Sequence, residues 1–246
     1  MLYHGTTWKF DSFDIRKSKE LNFIGDGIYL TTSEEDAHIN YACVGPDLKN
    51  RIDLFVDDID IFGCDDCDDC DPRTKEEIIY QAAHEMIGEH SLVLECELTE
   101  EAKVLVIDYN KPVYFDLYDS IFDGEDFLYE RSELFYKIIC ILESLGVNYD
   151  ESDFEAEITA LDLYNYCKDF FGHECSQNLF SEIVCALGYD AVRFVNIGKF
   201  IYMYKKQNHD HIIVFNKDCV RIVEVHDNEI NSRLEYLKEQ NVCVSC

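Results

Sequence analysis

No apolar run in the sequence approaches the roughly 18 residues that a membrane-spanning helix requires, so the chain reads as soluble, with no membrane partner. An apolar leader is missing too. Residues 1 to 15 contain Trp8, Lys9 and Asp11 where a secretory signal would be hydrophobic, and the expected setting is a reducing cytoplasm. Basic residues are scarce: 21 Lys and Arg stand against 51 Asp and Glu, a formal charge of −30. That sign opposes direct binding to nucleic acid or anionic lipid, because phosphate is held by cations. It favours a basic protein partner, or a surface that imitates DNA.

The hydrophobic share of 47% and aromatic share of 13% are those of a globular chain with a sizeable core. Its 246 residues suit one domain with a large insertion, or two small ones. The twelve cysteines read as reduced thiols in a cytosolic chain. Cys64, Cys67 and Cys70 repeat with a metal-ligand gap, and Cys43, His84 or His90 would be the fourth ligand for zinc. Against that, the five interleaved aspartates read as a solvated, self-repelling loop, and no metal is expected.

Two early segments dominate the pattern. Leu2-Tyr3-His4-Gly5-Thr6 is a strand that runs into a glycine. Asn22 to Thr32 places Gly25 and Gly27 around Asp26, then an apolar strand Ile28 to Leu30, then the hydroxyls and acids of a helix start at Thr31 to Asp36. Between them, Trp8, Phe10 and Phe13 are spaced to cover the end of a sheet, and Arg16, Lys17 and Lys19 form one of the few basic spots. The helix expected from Ser33 to Cys43 carries Ala37, His38 and Tyr41 at helical spacing.

Residues 44 to 91 form an acidic, Cys- and Asp-rich insertion, in which Arg51 to Phe62 alternates as a strand or hairpin and Thr74 to Ile87 reads as a helix. Ser91 to Leu98 and Lys103 to Asp108 are clear strands. From about 113 to 175 we expect a helical insertion: Glu130 to Leu145 and Glu151 to Phe170 are amphipathic, as is Gln177 to Leu187 beyond it. Cys140, Cys167 and Cys185 fall on their apolar sides and are expected to be buried. The tail alternates as strands at Ala191 to Asn196, Lys199 to Tyr204, His211 to Phe215 and Val220 to Val225, before a helix at Asn228 to Asn241.

Leu-Tyr-His-Gly-Thr at the start and Gly-Asp-Gly-Ile-Tyr-Leu-Thr at 25 to 31 resemble the first two signature segments of the ADP-ribosyltransferases of the poly(ADP-ribose) polymerase and diphtheria toxin type. Gly188-Tyr189-Asp190-Ala191-Val192-Arg193-Phe194 and Asp210-His211-Ile212-Ile213-Val214-Phe215-Asn216 resemble the late strands of that fold. The resemblance implies a single α+β domain over 1 to 246, with split antiparallel β-sheets, helices and the two insertions. It implies NAD as substrate, bound by His4, Gly5, Thr6, Gly27, Tyr29 and Tyr41. His4 would bond the ribose hydroxyls, Gly5 would fix the carboxamide through its backbone, and Tyr29 and Tyr41 would sandwich the nicotinamide ring.

The family's third catalytic group is a glutamate. At its position stands His211, with Asp210 just before it. A neutral imidazole accepts the 2'-hydroxyl's hydrogen bond without supplying negative charge, whereas a one-residue bulge would present Asp210 instead. The catalytic set implied is therefore His4, Tyr29 and His211 or Asp210. The missing glutamate, in a fold of this resemblance, implies transfer of single ADP-ribose units to a macromolecule, a protein by class and a basic one by charge. The alternative is an inactive fold of the same type acting as an acidic binding protein or DNA mimic. His38, where the polymerases commonly carry Ser, departs from the pattern as well. NAD is anionic, and Arg16, Lys17, Lys199, Lys205 and Lys206 are the candidate basic contacts.

Overall fold

The computed structural model describes residues 1–15, 27–60, 75–108, 110–111, 114–123, 126–144, 146, 157–165, 167, 176–196 and 209–242. The basic candidates just named, the Asn22 to Asp26 segment, the Cys64, Cys67 and Cys70 repeat and the Lys199 to Tyr204 strand lie outside the described residues. The chain divides into two compact units, one made of Met1–Ser12, Leu30–Glu97 and Arg221–Cys246, the other of Phe13–Tyr29 and Leu98–Val220. Each mixes strands and helices, in keeping with the α+β class. Among the described residues no helix is long and apolar enough to cross a membrane.

In the first unit, β1 (Leu2–Thr6) lies between β3 (Leu92–Leu98) and the Leu30–Thr31 end of β2 (Ile28–Thr31), antiparallel to both, and β11 (Val220–Asp227) flanks β3. Ser33 starts α1 (Glu34–Asp36): its Oγ accepts from the Asp36 amide at 3.1 Å, beside three acids in the first turn. The helix then widens into a π turn, Ala37–Ala42, closed by the Cys43 amide donating to the His38 carbonyl at 3.1 Å. It settles directly on β1. A Cβ on Gly5 would lie 1.9 Å from the Ala37 carbonyl oxygen and 2.7 Å from Tyr41 Cβ, so only glycine allows this approach.

Arg51 to Phe62 is not a strand. Its described part, Arg51 to Asp60, belongs to α2 (Pro46–Asp60), where Leu48, Ile52 and Val56 recur every four residues and pack against Ile78, Ala82 and Ile87 of and just beyond α3 (Lys75–Met86); Ile61 and Phe62 lie outside the described residues. Leu54, which completes the apparent alternation, is 60% exposed. Burial of the every-fourth-residue stripe outweighs the period-two pattern. The same core takes Tyr236 and Leu237 of α7 (Ser232–Glu239), whose start is capped by Asn231 rather than at Asn228.

The second unit contains β4 (Val104–Asp108), β9 (Ala191–Val195) and β10 (His211–Val214). β9 pairs antiparallel with β10 and parallel with β4. The parallel pair departs from the antiparallel expectation, because a long crossover joins β4 to β9. Val192, Phe194, Ile213, Leu105 and Ile107 bury one face against Phe135, Ile138 and Leu142 of α4 (Glu133–Ser144), Leu163 of α5 (Ala160–Asn165), and Leu179, Phe180 and Ile183 of α6 (Ser176–Ala186).

Among the described residues the stretch from 113 to 175 is less helical than expected, and of the expected Glu151 to Phe170 helix residues 151–156, 166 and 168–170 lie outside them. Tyr114–Asp116 (β5) pairs with Glu157–Thr159 (β8), and Tyr118–Asp123 (β6) forms a hairpin ladder with Asp126–Arg131 (β7). The Asp123-Gly124 pair in the sequence favours hairpin turns. α5 starts only at Ala160, because Thr159 and Asp162 exchange side-chain-to-backbone hydrogen bonds as a capping box and leave the preceding residues extended. Of the three cysteines expected inside, Cys167 is buried, whereas Cys140 and Cys185 are exposed: the helices turn their larger aliphatic residues inward instead.

Candidate functional site

His4, Gly5, Thr6 and Tyr41 belong to the first unit, and Gly27, Tyr29, Asp210 and His211 to the second. Within the first, His4 is half-buried near the middle of β1, its ring 6.0 Å from that of Phe10 in an edge-on contact. Gly5 is covered by the helix, as described. The Thr6 hydroxyl is taken up locally, accepting from the Trp8 amide at 3.1 Å and donating to the Trp8 carbonyl at 3.3 Å. Trp8, expected to cover a sheet end, is 45% exposed, with the Arg233 guanidinium 5.7 Å from its ring centre. Tyr41 is exposed, with its Cβ side over β1.

The π turn sets further polar groups beside this strand. Cys43 Sγ lies 3.9 Å from His38 Nε2 and 3.7 Å from Ser91 Oγ, and Asn228 Nδ2 donates to the Ser91 carbonyl at 3.0 Å. Glu34, Glu35, His38, Ile39, Val93 and Asn228 line a cleft of about 420 Å³. Its two carboxylates suit a cationic or neutral guest better than a phosphate.

In the second unit Tyr29 is half-buried and packs against the large apolar core, so its ring has a structural role as well as the one implied by the resemblance. Gly27 lets the chain approach β10: a Cβ there would meet Ile213 Cγ2 at 2.5 Å. His211 opens β10, opposite Phe194, with the His209 ring 4.8 Å away at an interplanar angle of 53°. Asp210 is committed elsewhere. Arg193 on β9 donates to its Oδ2 from Nε at 2.8 Å and from Nη2, a charge-assisted fork that holds the carboxylate on Arg193.

Asp190, in the segment read as a late-strand signature, clips the entry to β9. Its Oδ2 accepts from the Lys103 amide at 3.0 Å and its Oδ1 from Asn216 Nδ2 at 2.9 Å. The Asn216 hydrogen bond first, then the Lys103 amide, hold its carboxyl below the usual carboxylate range. Gly188, at φ +84°, ends the preceding helix in the left-handed region that glycine favours. The Arg193–Asp210 pair was not expected from sequence; the signal available was a single Arg on a strand otherwise apolar, with a carboxylate 17 residues later just before β10.

No family profile, curated protein or solved structure matches the chain.

Proposed function

We propose that the chain is a mono-ADP-ribosyltransferase of the resembled fold, which transfers one ADP-ribose unit from NAD to a macromolecule, a basic protein being the acceptor its charge favours, in the cytoplasm. The observation that carries the reading is that His4, Tyr29 and His211 each stand on a β-strand, as the resemblance asks of the family's three signature residues. In the reaction the bond between the anomeric carbon and the nicotinamide nitrogen breaks, a bond from that carbon to an acceptor nucleophile forms, and the acceptor's proton is released. His4 orients the ribose, Tyr29 and Tyr41 hold the nicotinamide, and His211 accepts a hydrogen bond from the 2'-hydroxyl. With no carboxylate to steady the developing cation, turnover is slow and stops at one unit.

The pairing of Asp210 with Arg193 bears on the choice left open by the sequence, since it favours His211 over Asp210 as the group facing ribose. It equally favours the second reading, an inactive fold whose acidic surface binds a basic partner. Incubation with NAD labelled in its adenylate part, with cell lysate as acceptor source, separates them. The transferase labels protein and releases nicotinamide; Tyr29→Ala and His211→Ala lose at least 10-fold, and Asp210→Ala retains most of the label. Absence of label and of nicotinamide release by the wild type would overturn the transferase, and salt-sensitive capture of a basic protein would then support the binding role.

A further inference from the structure

His226 and Glu224 are two residues apart on β11 and share a face, beside Glu95 of β3 and Glu34 at the head of α1. His226 Nδ1 is 3.1 Å from Glu34 Oε1. A carboxylate only accepts, so this contact places a proton on Nδ1 and leaves Nε2 as the nitrogen turned toward the other two carboxylates. Nε2 stands 3.9 Å from Glu95 Oε2 and 3.8 Å from Glu224 Oε1. Those separations are too long for hydrogen bonds. One ligand atom from each of Glu95, Glu224 and His226 nonetheless lies within 4.8 Å of the other two. Atoms bound to one cation at about 2.1 Å in tetrahedral geometry are about 3.4 Å apart, so a small inward movement brings the three to bonding distance. A ring nitrogen and two carboxylates converging in a chain of formal charge −30 form a donor set that a cation would hold together.

We propose that Glu95, Glu224 and His226 Nε2 bind one divalent transition-metal cation, with Glu34 positioning the imidazole through Nδ1. The carboxylate on the far nitrogen is the arrangement that fixes tautomer and ring direction in metal-bound histidines. A nitrogen donor with two oxygens selects zinc, cobalt or manganese over calcium and magnesium. Three protein ligands leave a position for water or a small anion. The cation ties edge strand β11 to β3 and to α1. Tyr3 borders the same groups: burial, then the Glu34 and Glu95 carboxylates, raise its hydroxyl pKa. The site lies wholly in the first unit and does not depend on the NAD reading.

The test is Co2+ titration of the full chain, reduced and stripped with chelator, followed by calorimetry and visible absorption. We expect one-to-one binding without thiolate-to-cobalt charge transfer. His226→Gln, Glu95→Gln and Glu224→Gln each weaken it at least 10-fold, and Glu34→Gln, acting on ring orientation, about 10-fold. Glu224 has a side chain 67% exposed, so its variant folds as the wild type and guards against a misfolded His226→Gln. Absence of stoichiometric binding, the result for a protonated His226 in a plain ion-pair network, overturns the proposal. So does binding unchanged in both His226→Gln and Glu224→Gln, or a thiolate band that places the metal on cysteines.

Discussion

In the unit that carries His4, buried polar side chains reach the main chain. Arg233, nearly inaccessible, donates from Nε to the Ile87 carbonyl at 2.7 Å and from Nη1 to Glu89 at 2.9 Å, beside His84. Thr7 Oγ1 accepts from the Gly88 amide at 2.9 Å, and Ser232 Oγ donates to the Ala42 carbonyl at 2.9 Å. In the unit that carries His211 the corresponding places are filled by Phe135, Phe180, Leu163 and their neighbours, and polar clips such as Asp190 stay at the surface, Ser132, whose buried hydroxyl accepts from the Phe135 amide at 3.3 Å, being an exception. Directional bonds to backbone fix short helices and turns that bury little area of their own. A broad sheet face with three helices on it obtains the same fixity from area alone.

Truncating Phe180, 2% exposed in the apolar core, is expected to have the largest effect, about 4 kcal/mol from lost transfer energy and the cavity left behind. Denaturant unfolding of Phe180→Ala measures it. Gly5→Ala comes next, at about 3 kcal/mol, because the new Cβ meets a backbone oxygen that no rotamer change can move. Its destabilisation would separate the packing role of Gly5 from a role in carboxamide binding: a variant as stable as wild type would show that the helix yields. Arg233→Ala is expected to lose about 2 kcal/mol, chiefly by orphaning the buried Ile87 carbonyl, and Arg233→Lys to recover only part. Equal losses for Arg233→Ala and Phe180→Ala would break the contrast between the units.

The smallest effect belongs to Asp190→Asn, about 0.5 kcal/mol at neutral pH for a solvated clip. The folded carboxyl is held below its unfolded value, so its contribution is complete above the unfolded value of about 3.9 and disappears as pH falls through the lower folded one. Wild type and variant should therefore begin to converge in stability as pH falls below about 4 and meet only below the folded value. Persistence of the difference in acid would mean that the variant lost shape rather than charge.

The β-strands 2 to 6, 92 to 98, 104 to 108 and 191 to 195 were legible because apolar residues cluster there between turn signals, and the helices 75 to 86, 133 to 144 and 176 to 186 because their apolar stripes are wide. The 46 to 60 helix was hidden by Leu54, which adds a false alternation between Ile52 and Val56 to the stripe at Leu48, Ile52 and Val56. Cys140 and Cys185 could not be assigned from spacing, since a residue at the margin of a stripe is turned in or out by its neighbours. The candidate site was legible as residue types on strands, His4, Tyr29 and His211. The commitment of Asp210 to Arg193 was not, because that bond forms between side chains brought together by pairing register.

By itself the sequence determined the charge, the positions of most strands and helices, and the glycines at 5 and 27, whose neighbours in space it left unnamed. Tertiary structure alone decided that Gly5 lies under a helix carbonyl, that Asp210 is held by an arginine 17 residues earlier, and that Glu34, Glu95, Glu224 and His226 converge. Local pattern follows from the period of one element, readable along the chain. Convergence of side chains from separate elements follows from which strands pair and in what register, and that is settled by the burial of all of them at once.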